Sequence, residues 1–118
     1  MTYISGFVTP VEAGRRHEYL ASAEKSWPLF AEYGAIGMME NWGDKVPEGK
    51  QTDFRRSVAL KDGEVVVMSW VVWPDKASAE RCEASMDSDE RWHQLDMPFD
   101  GKRMIFGGFE TIFSKSAA

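Results

Sequence analysis

The stretch Val65-Val66-Val67-Met68-Ser69-Trp70-Val71-Val72-Trp73 constrains this chain more than any other. Its valines and tryptophans favour extended backbone, and its nine residues are too few to cross a bilayer as a helix. Strand side chains alternate between faces. Val66, Met68, Trp70 and Val72 therefore share one face, and Val65, Val67, Ser69, Val71 and Trp73 the other. Both faces are apolar, so a sheet built around this strand needs cover on both sides.

The surrounding segments supply cover for one side. Tyr3 to Thr9 reads as a strand. Thr9-Pro10-Val11-Glu12 has the form of a capping box with proline at the first helical position, although Gly14 weakens so early a start. Leu20, Ala23, Trp27 and Phe30 then recur as one helical stripe, in which Pro28 should kink or split the helix near Ser26. Gly34 supplies the stop. Ala35 to Trp42 reads as a second strand, followed by a polar loop, an ambiguous segment Phe54 to Leu60, and a reversal at Asp62-Gly63. Pro74-Asp75 ends the central strand and caps a helix through Ala79, Cys82 and Met86. A further turn is expected around Asp89 to His93. Met104 to Phe113 is the last strand, and the tail 114–118 should fray. The order βαββαβ predicts an α+β, ferredoxin-like antiparallel sheet with two helices on one face.

Two helices leave the other face bare. Covering about 600 Å² of apolar area would favour association by roughly 15 kcal/mol before association costs. The simplest roof is a second copy, giving a two-fold homodimer packed sheet against sheet. The alternative is that residues 44–58 fold over the face.

The totals fit this picture and remove several functions. A chain of 118 residues is expected to form one domain, residues 1–118. A formal net charge of -5, with scattered basic pairs, offers no stripe for nucleic acid. One cysteine and two separated histidines give no disulfide and no metal signature, and no cofactor is indicated. The absence of a signal pattern or a membrane span predicts a cytoplasmic protein.

Longer motifs run through the same elements. They are Gly6-Phe7-Val8, Glu40-Asn41-Trp42-Gly43-Asp44, Val46-Pro47-Glu48-Gly49-Lys50, Ser69-Trp70, Trp73-Pro74-Asp75-Lys76, and Met97-Pro98-Phe99-Asp100-Gly101-Lys102-Arg103-Met104-Ile105 with Gly107-Gly108-Phe109. Together they resemble the DUF1428 family of small bacterial proteins, over nearly the whole chain. The resemblance implies the dimeric α/β-barrel superfamily, and so both the ferredoxin-like fold and a homodimer. It implies no catalytic residues. Relatives in that superfamily include cofactor-free oxygenases, which makes oxidation of a small organic molecule a guess by analogy alone.

Candidate site residues fall into three groups. Asp100, Lys102 and Arg103 could hold a polar ligand, or simply form a charged turn guarding the sheet edge. Gly107-Gly108 inside a strand marks a bulge or a close backbone approach. Glu40 shares a strand face with Trp42, and a carboxylate on an apolar face is the kind of group that burial turns into a general base. The bland alternative is a salt bridge to Arg55, Arg56 or Arg103. His93 lies four residues after Asp89, which could orient its ring, although a surface histidine is commoner. Cys82 on the apolar stripe is a buried small hydrophobe. The functional expectation is a pocket lined by Trp27, Trp42, Trp70 and Phe106, with Glu40, His93 and Arg103 as candidate acid–base groups. The competing expectation is a non-catalytic dimeric binding module. Whether the chain is an enzyme stays open at this level.

Overall fold

In the computed structural model, which describes residues 1–117, the chain folds as β1 (Tyr3–Glu12), α1 (Arg16–Glu32), β2 (Gly37–Trp42), a single helical turn α2 (Phe54–Ser57), β3 (Glu64–Trp73), α3 (Lys76–Ser88) and β4 (Ile105–Glu110). The strands form one antiparallel sheet in the order β2-β3-β1-β4. This is the expected ferredoxin-like arrangement, with α1 and α3 packed on the same face. The core on that face joins Leu29 and Phe30 of α1, Val71 and Trp73 of β3, Ala79 and Cys82 of α3, and Trp92. Each buried indole finds a hydroxyl: Trp73 Nε1 donates to Ser5 Oγ at 2.9 Å and Trp92 Nε1 to Ser85 Oγ at 2.9 Å. These bonds offset the cost of burying the ring nitrogens.

Three local expectations change. Thr9-Pro10-Val11-Glu12 does not cap a helix but continues β1, with Thr9 and Val11 almost fully buried. Pro10 is tolerated because pairing with β4 has already ended at Val8–Ile105. On its other side Pro10 faces Val66, whose carbonyl turns away to accept from Gly43 N at 2.8 Å. Pro28 does not split α1, which runs unbroken. Pro28 and Glu24, whose carbonyl loses its donor, are both on the exposed side, where water replaces the bond. The buried stripe of α1 is Tyr19, Ser22, Ser26, Leu29 and Phe30, one residue out of phase with the expected one. Leu20 is 52% exposed and Trp27 38%. The caps of α3 and of the turn Glu90–Gln94 are Asp75, accepting from Ser78 N at 2.8 Å, and Asp89, accepting from Arg91 N at 3.1 Å.

The glycine pair in β4 makes no bulge, because the β1–β4 register is uninterrupted. It makes close approaches. A side chain at Gly107 or at its partner Gly6 would meet the Phe109 ring at 3.2 Å, and one at Gly108 would strike the Tyr3 hydroxyl. Phe109 thus lies flat across the open face, and Tyr3 across the helical one.

That open face is bare at its centre. Ile4, Gly6, Val8, Met68, Trp70, Ile105 and Phe109 line a shallow trough. Met68 is 40% exposed, Ile105 45% and Phe109 58%. Val66 and Pro10, on the same face at the end beside the 43–63 connection, are buried, so cover on this side is confined to that end. No helix among the described residues is long and apolar enough to cross a membrane.

Candidate functional site

Strand register brings the site together. Glu40 of β2, Ser69 of β3, Phe7 of β1 and Phe106 of β4 form one row across the helical face. Above the first three of these lies a cavity of about 310 Å³. Its floor is Phe7, Thr9, Met38, Glu40, Ser69 and Val71; α1 contributes Tyr19, Ser26 and Phe30. Met86, Trp92 and His93 close one side, and Met97, Phe99 and Met104 of the crossover to β4 close another. Four thioethers and the five rings of Phe7, Tyr19, Phe30, Trp92 and Phe99 make it an adaptable, mostly apolar chamber.

Its polar end is compact. Tyr19 Oη donates to Glu40 Oε1 at 2.7 Å. Burial raises the Glu40 carboxyl above its ordinary value, held back by hydrogen bonds from Tyr19 and Ser69. The Tyr19 phenol is pushed up too, first by burial and then by the Glu40 charge, so it stays a donor. Among the described lining residues, the ionisable groups are Tyr19, Glu40 and His93, with no lysine or arginine. The site therefore has a carboxyl that exchanges its proton more readily near neutrality than a solvated one, and no fixed positive charge.

Not every residue singled out in the sequence reaches this chamber. Glu40 and His93 do. His93 is exposed at the rim, and its Nε2 lies 2.9 Å from the Met86 carbonyl, an acceptor, so that nitrogen carries the proton. Asp89 does not orient it: Asp89 accepts from Tyr33 Oη at 2.7 Å and pairs with Arg91, also at 2.7 Å, which reaches Glu32 at 2.6 Å. Arg103 lies elsewhere. It forms a two-pronged bond to Glu64, at 2.8 and 2.7 Å, and a third to Asp100 at 2.8 Å. Asp100 also accepts from Lys102 N at 3.0 Å, and the Lys102 side chain is exposed. The charged turn thus ties the start of β3 to the crossover.

None of the four residues expected to line the pocket lines this cavity. Strand alternation puts Trp70 on the open face beside Ser69 on the helical one. Trp42 sits one row beyond, its ring centroid 6.2 Å from that of Tyr19 and with the Arg16 guanidinium 5.5 Å above it. Phe106, on the edge strand, stacks on Phe7 at 6.2 Å and remains 64% exposed. Trp27 faces outward with Leu20, Ala23, Ile36 and Met39 in a groove along the β2 edge. Tyr19, Ser26 and Ser69 are the site residues that sequence reasoning missed. Their signal was a polar interruption of otherwise apolar positions.

Comparison with known proteins places this architecture in context. A family model described as "Protein of unknown function (DUF1428)" matches residues 2–101. The uncharacterized protein YbaA of Escherichia coli K12 is 44% identical over 117 residues, covering 98% of this chain and 100% of its own. The YbaA of Shigella flexneri matches to the same extent. Among solved structures, a dimeric ferredoxin-like protein from an uncultured marine organism superposes with a TM-score of 0.57 at 13% identity, covering 98% of this chain and 100% of its own. At that identity the likeness shows the fold.

Proposed function

The chain is a member of the DUF1428 family, whose description assigns no activity, and we propose that it works as a homodimer that takes a small, uncharged organic molecule into the helix-side cavity and presents its polar group to Glu40. One observation carries this reading: a lone half-buried carboxyl, hydrogen-bonded to Tyr19, at the end of an apolar chamber that holds no lysine or arginine. An apolar cavity of about 150 Å³ takes up benzene, so a chamber of about 310 Å³ suits one substituted ring or two fused rings. A carboxylate-bearing ligand would meet Glu40 with no lysine or arginine to neutralise it. A hydroxyl or enol would find an acceptor there, and Glu40 is placed to take its proton. The homodimer reading is supported by the trough of bare side chains on the open face and by the dimeric description of the ferredoxin-like neighbour.

The alternative, a binding module without turnover, is favoured by one feature. Glu40 has no second ionisable partner except Tyr19, whose proton is held tightly. Titration with one- and two-ring phenols, quinones and aromatic acids, followed by tryptophan fluorescence with Trp92→Phe as the control, separates these outcomes. Uncharged ligands are expected to quench Trp92, and Glu40→Gln to keep binding while losing its pH dependence. Tightest binding by aromatic acids, or no response to any ligand, would overturn the reading. Turnover of a bound ligand that vanishes in Glu40→Gln would mark an enzyme; binding without turnover would mark the module.

A further inference from the structure

After β4 the chain runs on as an irregular segment, tied to the N-terminus by Thr111 N donating to Thr2 O at 3.1 Å. The two residues that follow are large and apolar, and their own fold leaves them outside: Ile112 is 90% exposed and Phe113 78%. Across the sheet, the outer edge of β2 carries the groove of Leu20, Trp27, Ile36 and Met39, with Ile36 itself 61% exposed. Groove and tail lie at the same end of the sheet. Glu110, Tyr3 and Trp73 form its last row, and Ile36 N donates to Val72 O at 2.8 Å beside that row.

They lie on opposite edges, because β2 and β4 are the two outer strands. One chain cannot join them: three strand spacings, about 14 Å, separate the edges. A second copy can. When two such faces stack, a two-fold axis running along the strands exchanges the edges and preserves the ends. It sets the end of β4 in one copy over the Ile36 end of β2 in the other, and shields both open edges at once.

We infer that Ile112 and Phe113 of each copy seat in the Leu20–Trp27–Ile36–Met39 groove of the other. This rests on the homodimer reading and deepens the site, because Met38 and Glu40 border both the groove and the cavity. The tail of the second copy then forms the outer wall beside the half-buried Glu40 carboxyl, and the chamber is complete only in the pair.

The test replaces Phe113 with the photoreactive analogue benzoylphenylalanine in the full-length chain and irradiates it at a concentration where sedimentation gives its mass. A covalent dimer whose cross-link maps to residues 20–39 is the expected result. A dimer by sedimentation whose cross-link maps elsewhere, or does not form, overturns the tail contact and leaves the face-to-face dimer standing. A monomer overturns both. In parallel, Ile112→Ser with Phe113→Ser, both at solvent-exposed positions, is expected to weaken dimerisation at least about tenfold, the equivalent of 1.4 kcal/mol. An unchanged dimer constant counts against the contact.

Discussion

Two glutamates of this protein respond to acid in opposite senses. The Arg103 guanidinium, with its paired hydrogen bonds, holds the Glu64 carboxyl down to about 2 from an ordinary 4.5. A depressed carboxyl contributes stability above its ordinary value, and that contribution is lost as pH falls from about 4.5 towards 2. Glu40 is raised by burial, so its contribution is fullest below 4.5 and declines as pH rises through its elevated value. Glu64→Gln should therefore lower the melting temperature at pH 7 by on the order of 5 °C and flatten the acid limb. Glu40→Gln should raise the melting temperature at neutral pH and leave the acid limb alone. Thermal melts from pH 2 to 8 check this, and parallel curves for the two variants would refute it. Glu40 was legible in the sequence as an acid on an apolar strand. The fate of Arg103 was not, because its partner Glu64 lies 39 residues away and only the fold joins them.

At the scale of elements, the strands were the easier part to read, since a period of two with β-branched and aromatic residues has few alternatives. The helices were harder. The face of α1 turned to the sheet carries Ser26 on the chamber and Ser22 against the Met97 thioether, whereas Leu20 and Trp27 point outwards. An apolar periodicity rule takes the greasier stripe, and here that stripe marks an outer groove. The expected pocket residues were displaced in three ways: Trp27 follows that outer stripe, Trp70 falls on the open face, and Trp42 lies one row beyond the chamber. Gly43 shows how closely β2 and β3 meet. A side chain there would press its Cβ to 2.5 Å from the Val66 carbonyl oxygen, the very atom that Gly43 N binds. Gly43→Ala is expected to destabilise the protein by roughly 1–3 kcal/mol, measured by urea unfolding, and to loosen exchange protection at the Trp42 end of β2 before the Gly37 end. A cost within error of zero would show that this end of the sheet yields freely.

For the whole molecule, the deciding feature is a sheet with helices on one side and a bare centre on the other. Met68 projects from the middle strand into that trough. Met68→Asp should give a chain that sediments as a single copy with its helical face intact by circular dichroism. Its melting temperature should no longer rise with protein concentration. A variant that still pairs as tightly as the parent would refute assembly through this face.

β3 has a consequence that follows from its alternation alone. Ser69 sits opposite Glu40 and faces the chamber, while its immediate neighbours Met68 and Trp70 look the other way, into the trough. On the reading proposed above, a single peptide unit separates the ligand's side from the partner copy's. Were both sides occupied, filling the chamber and tightening the pair would belong to one thermodynamic cycle. Each chamber would then sense, through a shared backbone, how firmly its twin is held.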